Sequence, residues 1–125
     1  MPRPDEFLAL VLDALRAFGP VTTRRMFGGW GIYRDGAFFA LIAGNTLYFK
    51  TDDATRAEFE RASSGPFTFV KKGERIVTHY YAVPEDALED PQAMARWARL
   101  AYAAALRAAR AKRSGSRPRA ARRRS

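Results

Sequence analysis

The sequence predicts an α+β domain: one antiparallel sheet of about five strands, in the order α-β-β-β-α-β-β-α, with helices packed against it. Three observations carry this expectation. Short apolar runs are punctuated by the tight-turn dipeptides Asp35-Gly36, Gly44-Asn45 and Lys72-Gly73, which read as hairpins. Phe7, Leu8, Val11, Leu12, Leu15 and Phe18 recur at helical spacing near the start. A long alanine-rich segment follows Asp90-Pro91, a capping residue and a proline suited to a first helical turn. The 125 residues suffice for one domain, and nine Phe, five Tyr and two Trp supply its core.

The elements follow in order. Residues 5–18 form an amphipathic helix, stopped by Gly19-Pro20. Residues 24–33, Arg-Arg-Met-Phe-Gly-Gly-Trp-Gly-Ile-Tyr, read as a strand with Met26, Trp30 and Ile32 on one face and Phe27 and Tyr33 on the other. Residues 37–43 are apolar on both faces and read as a central strand, and residues 46–50 complete a meander. Thr51-Asp52-Asp53 opens a short helix over about residues 53–63. Two strands over 67–71 and 75–82 form the second hairpin. The last helix runs from Pro91 to about residue 112, with Met94, Trp97, Ala98, Ala101, Ala105 and Ala108 as its inner stripe. We therefore divide the chain into a domain over 1–112 and a basic tail over 113–125, whose Ser, Gly, Pro, Arg and Ala composition predicts disorder.

Composition narrows the chemistry. There is no cysteine, which excludes disulfides and thiolate sites and suits a cytoplasmic protein. No apolar run reaches the roughly 18–20 residues a membrane helix needs, so no membrane partner is expected. His79 is the single histidine, too few for a multi-histidine metal site, and no metal or other cofactor is expected. Glu85, Asp86, Glu89 and Asp90 read as helix-capping carboxylates before they read as a cation site. The net charge of +9 is uneven. Nine basic residues and no acid lie in 107–125; 22 minus nine leaves 13 basic residues against 13 acidic ones in 1–106. The body is neutral in sum, and the excess lies in the tail.

Three glycines in four positions need a local cause, because each weakens a strand interior by roughly 0.5–1 kcal/mol. Gly29-Trp30-Gly31 continues neither as a dinucleotide fingerprint nor as a phosphate loop. Close packing and curvature form one explanation. The other is a binding surface with Arg24, Arg25 and Trp30 as partner contacts. Lys71, Lys72 and Arg75 surround a turn and join that patch only if the fold brings them to it. In the tail, Arg113, Arg117, Arg119, Arg122, Arg123 and Arg124 are candidates for non-specific nucleic-acid binding, without interleaved aromatics for base stacking.

Residues 24–42, then Leu47-Tyr48-Phe49-Lys50-Thr51-Asp52-Asp53, resemble the N-terminal domain of the TfoX/Sxy family; Met26, Phe27, Gly28, Gly29, Gly31 and Tyr33 are its signature here. Phe67-Thr68-Phe69, Tyr80-Tyr81 with Val83-Pro84, and Trp97 are similar too, and the resemblance covers about residues 5–110. It implies a compact α+β bacterial domain of regulators of DNA-transformation competence acting at transcription, with no catalytic residues to carry over. Full competence regulators of the family carry a second, helical domain; this chain resembles the single-domain type. The expected function is thus a non-catalytic regulatory or protein-interaction domain, not an enzyme. Its partner is an unknown protein, with the transcription machinery a candidate, and an exposed sheet edge admits a homodimer. The alternative is an accessory protein that binds nucleic acid through the arginine-rich tail. A third, weaker reading is a small-molecule enzyme with a pocket beside the glycines.

Overall fold

Helix α1 (Pro4–Ala14) leads into strands β1 (Thr22–Met26), β2 (Gly29–Arg34), β3 (Ala37–Ala43) and β4 (Thr46–Lys50). Helix α2 (Arg56–Ala62) connects these to the hairpin of β5 (Pro66–Lys71) and β6 (Glu74–Ala82). A 3-10 turn over Glu85–Glu89 and helix α3 (Pro91–Gly115) follow. The computed structural model describes residues 4–115 apart from Phe27 and Ser64. The expected α+β class holds, with six antiparallel strands in the order β1-β2-β3-β4-β6-β5.

The sixth strand comes from the glycine-rich stretch, which is not one strand. The chain reverses between Met26 and Gly29, which pair with each other. Gly28 sits in that turn at φ +75°, a left-handed conformation that costs glycine little. The reversal also overturns the expected sidedness. Met26 packs beside Gly31 and Phe38, whereas Ile32 and Trp30 lie against the core on the opposite face. Gly29 has a packing cause: a Cβ there would lie 1.9 Å from the carbonyl oxygen of Ile42 on β3.

One face of the sheet carries the core. Ile32, Phe39, Ile42, Leu47 and Phe49 are buried there under Val11 and Leu15, Phe59 of α2, and Met94, Ala98 and Ala101 of α3. The strict alternation of β4 shows the division, with Leu47 and Phe49 inward and Tyr48 and Lys50 outward. Alanines in α3 keep its backbone close to β3 and β4. Ala108, expected in that stripe, is exposed and lines an open cleft beside the end of β4. Asp90 begins the helix as expected: its Oδ1 accepts the backbone N–H groups of Gln92 and Ala93 at 3.1 and 3.2 Å.

Two other boundaries move. Regular helix α1 stops at Ala14, yet Leu15 and Phe18 remain buried through an irregular turn. Helix α2 starts only at Arg56, because residues 52–55 form a locked turn in which Asp52 N–H donates to Thr55 Oγ1. Arg34, which the sequence pattern does not distinguish, fastens the end of α1 to the sheet. Its guanidinium lies over Phe18 and Tyr102 and donates to the Phe18 carbonyl at 2.7 Å.

Candidate functional site

The face of the sheet turned away from the core is not covered by any described helix. It carries its own row of rings. Tyr33 on β2 and Phe38 on β3 have centroids 5.1 Å apart, and Phe38 lies 5.5 Å from Tyr80 on β6. Cations end the row: Arg24 of β1 sits over Tyr33 at 5.9 Å and Lys50 of β4 over Tyr80 at 5.1 Å. A second group, Tyr48, Phe67 and Phe69, continues toward the β5 edge. Leu41 and Ala82, paired with Tyr48 on either side, are buried on this face and stand outside the main core cluster.

The antiparallel registers create the row. Tyr33 opposes Phe38 where β3 bulges, and Lys50 opposes Tyr80 across the β4–β6 pair. Burial pushes the Tyr80 hydroxyl up to about 12, with the nearby Tyr33 hydroxyl acting in the same direction. It therefore stays a neutral hydrogen-bond donor at working pH. Burial lowers the pKa of Lys50, and the charge of Asp52 opposes that shift.

A second feature is a solvent-open cleft of about 540 Å³ where the β4–α2 loop meets α3, lined by Lys50, Thr51, Asp52, Arg56, His79 and Arg107 among others. Its carboxylates are already engaged. Arg107 grips Asp52 with two hydrogen bonds of 2.5 and 3.0 Å, and Arg56 holds Asp53 at 2.9 Å. The Arg107 hydrogen bonds hold the Asp52 carboxyl below the usual carboxylate range. His79 has an exposed side chain, and its carbonyl accepts both the N–H and the Oγ1 hydroxyl of Thr51. The geometry is that of a clamp joining loop to helix.

The fold separates several residues that the sequence grouped. Arg24 and Arg25 are consecutive on a strand and so point to opposite faces. Arg24 joins the open face, while Arg25 lies over Trp30 at 5.2 Å on the core side. Trp30 is half-buried against the core instead of standing free. Arg24, Arg25 and Trp30 therefore do not make one surface. The β5–β6 turn with Lys71, Lys72 and Arg75 is at the other end of the sheet from β1, five strand spacings or about 24 Å away. No pocket among those described is built on Gly29 or Gly31; these meet Ile42, Met26 and Phe38 instead. Phe27 lies outside the described residues, as do Arg117, Arg119, Arg122, Arg123 and Arg124; the backbone of Arg113 falls in the last turns of α3. Among the described residues, no cluster of three or more His, Asp or Glu is placed to hold a metal, and no helix is long and apolar enough to cross a membrane.

Sequence reasoning missed the aromatic row. Tyr33 and Phe38 face each other across one hairpin, but Tyr80 comes from β6 far along the chain, and the signal available was faint: an aromatic on the second face of strands whose first face was already apolar.

Fold and surface together define a small α+β domain with one face of its sheet left open. The model of the TfoX N-terminal domain matches residues 13–105, and the chain belongs to that family. Over 71 residues, 57% of the chain, it is 31% identical to the DNA transformation protein TfoX1 of Aliivibrio fischeri. The match spans 34% of that protein, about a third of its length.

Proposed function

We propose that this chain is a non-catalytic regulatory module that works by binding, with the open sheet face as its working surface. The observation that carries this is the row Arg24–Tyr33–Phe38–Tyr80–Lys50 on the face that no described helix covers. Partly exposed aromatic rings with cations beside them, gathered on one surface, are a usual composition of recognition sites. Membership of the TfoX N-terminal domain family supports a regulatory role, and the relative's description as a DNA transformation protein supports a link to competence. Arg24 is retained from the expected partner contacts; Arg25 and Trp30 are assigned to the support of β1 against β2.

The test is complementation of a deletion strain, read as a transcript profile. Arg24→Glu with Lys50→Glu is expected to abolish the transcriptional response. Arg99→Glu with Arg110→Glu, both exposed on α3, is expected to preserve it. Equal responses from the two pairs would remove the open face from the function.

A further inference from the structure

We infer that the open sheet face binds unpaired nucleic acid, with bases stacking on Tyr33, Phe38 and Tyr80 and with Arg24 and Lys50 holding the backbone phosphates. This rests on the open face being the working surface and names the class of partner it takes.

The first support is the distribution of charge. The folded body is neutral in sum, but the fold sorts its charges. The six strands hold Arg24, Arg25, Arg34, Lys50, Lys71 and Arg75, and a single acid, Glu74. The other acids lie in helices, turns and loops. Glu74 is beside the β5–β6 turn, away from the row. Asp52, the acid nearest Lys50, is already neutralised by Arg107. On the open face the cations beside the rings are Arg24 and Lys50, since Arg25 lies over Trp30 on the core side and Arg34 is tied to Phe18; no acid of the strands stands beside the row.

The second support is the rings. Base stacking on exposed aromatics of an antiparallel sheet, with flanking cations on phosphates, is a recurrent way to hold single strands, and such a platform takes about two or three bases. The aromatics absent from the arginine-rich tail are present on this face. A cation sits at each end of the row, as a strand crossing it requires. The same charges disfavour a second copy as occupant, since face-to-face packing would oppose cation to cation. A duplex is disfavoured because its bases are already stacked and cannot reach the rings.

The experiment is fluorescence anisotropy of the full chain with a labelled 12-nucleotide oligo(dT), and with a duplex of equal length, across a salt series. The single strand is expected to bind more tightly. Tyr33→Leu and Phe38→Leu are each expected to weaken it roughly tenfold, within the range for loss of one stacked base. Arg24→Gln with Lys50→Gln is expected to reduce the slope of log K against log salt by about 1.4, at about 0.7 per phosphate contact on a single strand. Ring-proton shifts of Tyr33, Phe38 and Tyr80 in the wild-type protein on adding oligo(dT) test the same face without any variant. In a full-length chain with Arg117, Arg119, Arg122, Arg123 and Arg124 changed to Gln, the preference for the single strand is expected to remain. The inference is overturned if duplex binds equally well, if the ring protons do not shift, or if only the tail variant loses affinity. Self-association that disappears with Arg24→Gln and Lys50→Gln, seen by sedimentation without oligonucleotide binding, would overturn it as well. A transcript response that depends on Arg24 and Lys50 while oligonucleotides fail to bind would sink base stacking alone and leave the working surface standing.

Discussion

The two faces of the sheet are built from the same strands and are both rich in aromatic rings, yet they have different fates. On one, Ile32, Phe39 and Phe49 are wholly buried beneath three helices. On the other, Tyr33, Phe38, Tyr48 and Tyr80 are half-buried and shelter mainly one another. The difference lies in what is available to cover them. Helix α3 presents Ala98 and Ala101 to the inner face, so its backbone packs close and water is excluded. No described helix lies on the outer face, which keeps rings with polar ends and cations over them. A cation over a ring is stable in water, where a bare apolar patch would invite aggregation.

This contrast can be broken by substitution. The largest effect is expected from Phe39→Ala, which empties a fully buried ring site and should cost about 3–5 kcal/mol in urea unfolding. A loss below about 1 kcal/mol would show that the inner face is not the principal core. Next is Gly29→Ala. Its Cβ would meet the Ile42 carbonyl, part of the backbone, and the strain should cost about 1–3 kcal/mol. Gly31→Ala should cost less by the same measurement, because the nearest obstacle is the flexible end of Met26.

A smaller effect concerns the clamp at the edge between the faces. The folded pKa of Asp52 is depressed below its ordinary 3.8, chiefly by the Arg107 hydrogen bond. The ion pair therefore stabilises the fold above that value, and its contribution is lost as pH falls through it toward the folded pKa. Urea midpoints measured from pH 6 to pH 3 should fall more steeply in wild type than in Asp52→Asn. Parallel curves would assign the acid sensitivity to other carboxylates. The smallest effect is expected from Phe69→Ala on the outer face. Phe69 is 42% exposed, and the change should shift stability by no more than about 0.5 kcal/mol. A larger loss would mean that the outer rings form a second core.

Much of the fold was legible because the signals were local. The hairpin turns at Asp35-Gly36, Gly44-Asn45 and Lys72-Gly73 all have positive φ at both residues, as those dipeptides require. Asp90 and Pro91 mark the start of α3 in the sequence and in the fold. The glycine-rich stretch was misjudged because continuous alternation assigned Met26 and Trp30 to one face. A turn of two residues reverses the chain and puts them on opposite faces. The candidate site was less legible. Arg24 was visible as a cation, but its partner ring at Tyr33 depends on the β1–β2 register, and Lys50 meets Tyr80 only because β4 pairs with β6.

By itself the sequence determined the class of fold, the start of α3, the hairpin turns and the family, since each follows from side-chain chemistry within a few residues. Only the tertiary structure decided which face would be covered, that the charges of a neutral body would separate into a basic sheet with acidic surroundings, and that three rings would align between two cations. The physical reason is the range of the interactions. Propensity and turn chemistry act over a few residues, whereas strand order and register are settled by burying Ile32, Phe39 and Phe49 together under α1, α2 and α3.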